Sequence, residues 1–449
     1  MNSLTILVLS VTGVLSVSVA IRLVIIYGTI AIPRIPLFWF SIYFFLIHAI
    51  TPLVKISIPK FRYDQSYDGV VLFYNAFLNL FIFLFVCLIA HPSRHFKKPV
   101  LDVPEFRQGS NAAIFAGLAM FVLGAYYAAK SGSSLTNSVG VEEFVTDRIY
   151  YSNQIGMSQH LSNLMIFGSA TFLAGWLNKR RFWALIGIPI SLVMLYSIFV
   201  YYSLTSSRNS ILITLVFNGS VYFLYRKVRI DSSLRGVRNI VLMMCIGLSA
   251  IALGRGLTKE RYMNLGGDHA EVQLASLWYS FLDGSFGNDE NLLWLLEHGH
   301  PYYLGSTYYA GFVSIIPRSI WENKPWGAGP EIKNLIAPGT YVLGGAQNTS
   351  ITTGMLTEGR MNWGFPGMIM AVLFWVSLTR YLANLAQSSK NILSDCIFTM
   401  LSVYMSTAFL YAEFLGLVSR AIFLFLLPAF FIIAISLVIR GNRKEAILR

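Results

Sequence analysis

The stretch GFVSIIPRSIWENKPW, residues 311–326, decides how the chain divides. An apolar run ends at Pro317, the cationic Arg318 follows at once, and Trp321, Lys324, Pro325 and Trp326 close the turn. The run is far shorter than the roughly 20 residues that cross a bilayer. It lies inside a long segment, 255–360, whose polar, Gly- and Pro-rich sequence does not read as a series of ordinary spans. Nearly everything on either side of that segment reads as membrane.

Composition supports this division. The chain has 449 residues, 55 % of them hydrophobic and 12 % charged, with a mean hydropathy of +0.60. A soluble domain carries roughly 25 % charged residues. The formal charge of +13 could suggest nucleic acid. Its basic residues, however, gather in short loops: Arg94, Lys97 and Lys98; Lys179, Arg180 and Arg181; Arg226, Lys227, Arg229, Arg235 and Arg238; and Arg440, Arg443 and Lys444. Loops of that kind face the cytoplasm, so topology rather than a nucleic-acid partner accounts for the charge. Cys87, Cys245 and Cys396 each sit in an apolar run without CxxC spacing, which gives neither a disulfide framework nor a zinc site.

Apolar windows of spanning length occur at about residues 4–27, 35–54, 69–91, 112–129, 160–178, 182–203, 209–225, 239–254, 364–387, 393–414 and 418–439. The expected fold is therefore all-α, a polytopic helix bundle of about eleven spans. Residues 1–254 would form N-terminal transmembrane helices, 255–360 a large outer loop, and 361–449 C-terminal transmembrane helices. With the C-terminus inside, an odd count puts the four basic clusters in the cytoplasm. Lys55, Lys60 and Arg62 in the first outer loop run against that pattern. The loop 130–156 is polar and reads as a connection. The loop 255–360 is much longer than ordinary connections, which favours a folded or functional insertion.

Within the large loop, Leu274, Leu277, Trp278, Phe281 and Leu282 recur at helical spacing, as an amphipathic helix requires. Residues 291–296 and 307–316 form two further apolar patches. All three are too short to span, so they are expected to lie in the interface or to be re-entrant. Aromatic residues interleave with them, Tyr309, Trp321 and Trp326 among others. Such rings form interfacial belts by default, and they can also stack on sugars.

The candidate chemistry is cationic and acid–base. Arg208 follows Ser206 and Ser207 in a tight outer turn, Arg255 follows a span, and Arg318 precedes Trp321 and Lys324. Guanidinium groups suit phosphate oxygens; surface arginines that merely meet solvent would look the same. Glu358 stands just before the last spans, where partial burial would suit a proton acceptor. Asp283, Glu297, His298 and His300 are other acid or base candidates. Glu297, His298 and His300 lack a nearby third His or Cys, so no metal is expected. Glu413 and Arg420 bracket the last outer turn and are expected to pair.

Two motifs carry a family resemblance. The run Ile316-Pro317-Arg318-Ser319-Ile320-Trp321-Glu322-Asn323-Lys324-Pro325 and the later Glu358-Gly359-Arg360-Met361-Asn362-Trp363-Gly364-Phe365-Pro366-Gly367 resemble the Wzy-type O-antigen polymerases. These are bacterial inner-membrane enzymes that polymerise oligosaccharide repeat units. The turn at Ser207-Arg208 looks like a further family feature, whereas Arg360 stands where an aromatic is more usual.

The resemblance implies a GT-C-like glycosyltransferase without a cofactor, acting at the periplasmic face on undecaprenyl diphosphate-linked oligosaccharides. It also implies a chain-length-regulating co-polymerase as partner. Under that reading Arg208, Arg255, Arg318 and Lys324 bind diphosphate, Glu358 or His300 takes the acceptor proton, and Trp321, Trp326 and Tyr309 stack on sugars. An O-antigen ligase and a lipid-linked oligosaccharide flippase are the rival readings; a flippase should show paired halves, and no internal repeat is visible.

Overall fold

A computed structural model describes residues 2–58, 63, 66–90, 109–138, 161–179, 181–204, 208–225, 286–316, 320–341, 351–389 and 391–430. Most of these residues are helical, with no strand among them. Six helices are long and apolar enough to cross a membrane: Ser3–Gly28, Pro36–Ser57, Gly69–Ala90, Ser110–Ser131, Gly354–Ala386 and Ile392–Tyr411. Leu164–Leu177, Ile186–Tyr202, Ser210–Tyr225 and Phe414–Phe430 are apolar but shorter. The expected window at 239–254 lies outside the described residues. Leu7, Val14, Ile25, Leu88, Val122 and Val193 are exposed on these helices. Side chains of that kind face lipid in a membrane-embedded protein.

The helices are, in order, α1 (Asn2–Ala31), α2 (Pro36–Phe45), α3 (Thr51–Ser57), α4 (Gly69–Ala90), α5 (Ser110–Ser138), α6 (Leu164–Leu177), α7 (Arg181–Leu204) and α8 (Arg208–Tyr225). After the large loop begins come α9 (Asp289–His298), α10 (Ser306–Phe312) and α11 (Ala328–Ile336). The chain then returns to long helices with α12 (Gly354–Ser388), α13 (Ile392–Tyr411) and α14 (Phe414–Ala421). A π turn, Leu46–Ile50, joins α2 to α3, so the two act as one span with a bulge at its middle.

Two apolar cores share α13. One gathers α5, α6, α7 and α8 around Phe167, Phe217, Met400 and Tyr404. The other gathers α1, α2, α4 and α12 around Phe40, Phe83, Trp375 and Phe409. In the first, α5 and α6 touch backbone to backbone: a Cβ at Gly124 would lie 2.6 Å from Met165 N, and one at Gly168 would lie 2.6 Å from Phe121 N. Small residues bring membrane helices this close where no hydrophobic driving force between helices exists.

The ends of the bundle differ. At one end Tyr225, the last residue of α8, and Arg34, in the turn Ile32–Arg34, both bond Asp395 in the first turn of α13. The loop helices α9, α10 and α11 occupy the other end. α9 and α11 share a small core of Leu295, Ala328 and Ile332 with Met361 of α12, and α10 packs on Phe414 of α14 through Tyr308 and Phe312. Here α12 starts earlier than the apolar window at 364–387 suggests, at Gly354, so Glu358 and Arg360 lie on the helix rather than before it.

Candidate functional site

The site is built where the loop docks into a break in α12. Trp363 (φ −140°, ψ 20°) and Gly364 (φ 67°, ψ −147°) leave helical geometry, and Pro366 follows with no N–H to donate. A left-handed backbone at residue 364 is open to glycine with little strain. The break frees carbonyls that a membrane environment leaves unsatisfied unless protein supplies donors. Two loop amides supply them, and a third bonds the Asn362 side chain. Tyr303 N donates to Met361 O at 3.1 Å, Leu304 N to Asn362 O at 3.2 Å, and Gly305 N to the Asn362 side-chain oxygen at 2.7 Å.

Directly behind this seam lies Glu358, fully buried. Its Oε1 accepts from the Thr307 hydroxyl at 2.7 Å and its Oε2 from Phe414 N at 2.6 Å. Asn362, one turn further along α12, donates to Thr307 Oγ1 at 2.7 Å and to Glu358 O at 2.9 Å. The second buried carboxylate is Glu413, next in sequence to Phe414. It accepts from Gly329 N, in the first turn of α11. Burial raises its pKa from the ordinary carboxylate range to about 7, against the Gly329 amide and the Arg420 charge, which pull it down. The expected Glu413–Arg420 pair is thus corrected: Arg420 is exposed and acts at a distance, and the Gly329 amide is the direct partner. The first turn of α11 carries three small residues, Ala328, Gly329 and Pro330, and a Cβ at Gly327 would stand 2.7 Å from Glu413 Oε2. Only glycine lets the carboxylate approach the helix start.

Two ionisable groups lie on the more open side of the same seam. His300 is half-buried, its Nδ1 2.9 Å from Pro301 O. A carbonyl only accepts, so Nδ1 carries the hydrogen and Nε2 keeps its lone pair. Burial lowers the imidazole pKa and the Arg360 charge lowers it further, while the Pro301 carbonyl raises it. Arg360, on α12, is half-buried, and its Nε has no hydrogen-bond partner among the described residues. Tyr302 links them to the break. Its ring meets His300 edge-on at 5.6 Å, and its hydroxyl would stand 3.0 Å from a Cβ at Gly364. Tyr308 and Trp363 stack at 5.4 Å, both partly open.

The other expected site residues are placed as follows. Arg255 and Arg318 lie outside the described residues, as do Asp283 and the apolar series 274–282. Arg208 begins α8, and its side chain is outside the described set. Lys324 is buried and turned onto the loop itself, donating to Ile316 O at 2.8 Å and Ser314 O at 3.4 Å. Tyr309 is exposed and meets Trp321 at 6.2 Å, whereas Trp326 packs against Tyr341 at 4.8 Å. Glu297 and His298 are exposed, and His298 stacks on Trp294. Glu358 and His300 come to the same seam, as neighbours of one docked loop.

Arg360 and Glu413 are the site residues that sequence reading undervalued. Arg360 departs from the motif around it, and that departure was the available signal. Glu413 had no signal beyond its place in a turn, because its partner at Gly329 is distant in sequence.

No family model matches the chain, and neither the curated proteins nor the solved structures contain a significant match.

Proposed function

We propose that the chain is a glycosyltransferase that joins undecaprenyl diphosphate-linked oligosaccharide repeat units, a Wzy-type polymerase with the GT-C-like architecture and about eleven spans that the sequence suggests. The observation that carries the reading is that His300 and Arg360 lie within electrostatic reach of one another beside the docked loop: an imidazole whose Nδ1 is committed to Pro301 O, which leaves the Nε2 lone pair, and a guanidinium whose buried Nε has no partner among the described residues.

In this reading a sugar hydroxyl of the new repeat attacks the anomeric carbon of the growing chain. The new carbon–oxygen bond forms as the bond to the diphosphate oxygen breaks, and the electron pair leaves with undecaprenyl diphosphate. His300 Nε2 takes the hydroxyl proton. Arg360 faces the charge that develops on the leaving group, joined by whichever of Arg208, Arg255 and Arg318 reach it. Glu358 is buried behind Thr307 while α10 is seated, so its part is to hold Thr307 and Phe414 in place. Tyr308 and Trp363, with Tyr309 and Trp321, offer ring faces to sugars. The resemblance implies the inner membrane, the positive-inside pattern of the loops supports this end as the periplasmic one, and a chain-length-regulating co-polymerase is the expected partner.

The test is purified protein in lipid vesicles with a defined undecaprenyl diphosphate-linked repeat. A ladder of products is expected. Conversion only in the presence of lipid A-core, with one repeat block delivered to it, would make the protein a ligase; translocation without conversion would make it a flippase.

A further inference from the structure

Four consecutive side chains at the start of α9 each bond a different part of the bundle. Asn288 Nδ2 donates to Leu410 O, near the end of α13, at 2.7 Å. Asp289 accepts from His48 Nδ1 in the π turn at 2.7 Å, and from Asn79 at 3.0 Å and Asn75 at 3.1 Å on α4. Glu290 accepts from Lys55 Nζ at the end of α3 at 2.7 Å. Asn291 Nδ2 donates to Thr352 O, just ahead of α12, at 2.8 Å.

Asp289 is the centre of this group. It is 1 % exposed, and His48, Asn75 and Asn79 around it are no more than 3 % exposed. Its oxygens serve three donors at once, from two consecutive spans that lie 210 to 241 positions away in sequence. His48 meets it from a π turn, a helical defect common at functional sites. An ionisable residue within a span is itself a functional signal. The pairing of Lys55 with Glu290 also accounts for a buried cation in the last turn of α3, which the sequence suggests as part of a loop.

The bonds of these four residues fix α9 at its N-terminal end. At the other end of that ten-residue helix, two residues on, stands His300. The segments bonded by Asn291 and Asn288 lead directly to Glu358 and to Glu413. A helix is stiff over this length, so the clamp at its start sets where its far end lies.

We propose that Asp289, through His48, Asn75 and Asn79, is a positioning residue that registers α9, and with it His300, against Arg360 on α12. The clamp is a geometric statement about the loop; its effect on turnover rests on the polymerase reading above.

The test uses the full chain in lipid vesicles with two variants. Asp289→Asn removes the charge and turns one of the two acceptor oxygens into a donor, so that at least one of the three donors around it loses its partner. The fourfold change H48L/N75L/N79L/D289L replaces the whole polar group by apolar packing, which can restore cohesion without restoring register. Amide hydrogen exchange is read over residues 298–307 and 411–416, with residues 392–400 at the opposite end as reference. Exchange in the first two segments is expected to quicken about tenfold or more in both variants, with the reference unchanged. Turnover is expected to fall at least about tenfold while the apparent KM for the repeat moves less than about threefold.

A fourfold variant with parental exchange and parental turnover would overturn the proposal and leave only cohesion. Should Asp289→Asn fail to fold, the fourfold variant decides alone. Exchange that quickens as expected in a protein whose parent forms no polymer would sustain the clamp and remove the polymerase reading.

Discussion

At one end of the bundle Arg34 Nη2 reaches both oxygens of Asp395, at 2.6 and 2.7 Å, and the Tyr225 hydroxyl donates to the same carboxylate. At the loop end two carboxylates and a guanidinium are gathered, yet they are not joined to one another. Glu358 takes a hydroxyl and a backbone amide, Glu413 takes a backbone amide, and the Arg360 Nε takes nothing among the described residues. An ion pair cancels its charges and cements α8, α13 and the turn Ile32–Arg34. The two buried carboxylates hold α10, α11 and the start of α14 through neutral donors, which leaves the Arg360 guanidinium its capacity to meet a ligand. Carboxylates thus serve cohesion at both ends, and the difference lies in whether a cation is consumed in doing so.

The comparison breaks most sharply at His300. Replacing it with alanine should lower polymer formation on the order of 10²- to 10⁴-fold, the usual range for loss of a general base. The melting temperature in detergent should stay near parental, because the ring is half-buried and its nitrogen bond is local. A variant with parental polymer yield would take His300 out of the chemistry.

At the opposite end the sign of the effect reverses. Arg34→Met leaves Asp395, fully buried, without its cation. Breaking a buried pair from one side costs about 3–5 kcal/mol, to be read as a lower unfolding midpoint. Adding Asp395→Leu should recover most of the loss. If the single variant unfolds like the parent, Asp395 is not held by charge.

Arg360→Met should weaken use of the lipid-linked repeat by about 10- to 100-fold. That is the range of a charge-assisted hydrogen bond worth about 1.5–3 kcal/mol. Lysine at the same position should restore part of it, because it keeps charge but not the planar fork. Concentration dependence of the rate separates this from a simple loss of turnover.

The smallest expected effect concerns Glu413. Its folded pKa of about 7 lies above the ordinary carboxylate value of 4.5, so between those pH values the folded chain holds a proton that the unfolded chain has released. Stability is therefore greatest below the unfolded value and declines as pH rises through about 7. Glu413→Gln should flatten that slope and unfold later than the parent at pH 8. A parental slope in the variant would assign the pH dependence to another group.

Much of this molecule is legible along the chain. Apolar windows located the long helices because hydrophobic length is a local property that a bilayer reads directly. The segment 291–296 fell inside α9 and 307–316 inside α10 and the turn that follows, because their apolar spacing is also local. The candidate site was legible only in part. Glu358 and His300 could be picked out by residue type and motif, but the break at Trp363 and Gly364 that draws the loop amides onto α12 could not. Nor could the burial of Glu413 against Gly329.

What the sequence alone determined is which stretches are helical, which are apolar enough for a membrane, and which residue types stand at the junctions. Only the tertiary structure decided which charges meet. His48 finds Asp289 across 241 positions and Arg34 finds Asp395 across 361. A helix pattern carries no information about a partner at that distance. The partner is chosen when the spans pack and every buried polar group must find a donor or an acceptor, because the surrounding medium offers none.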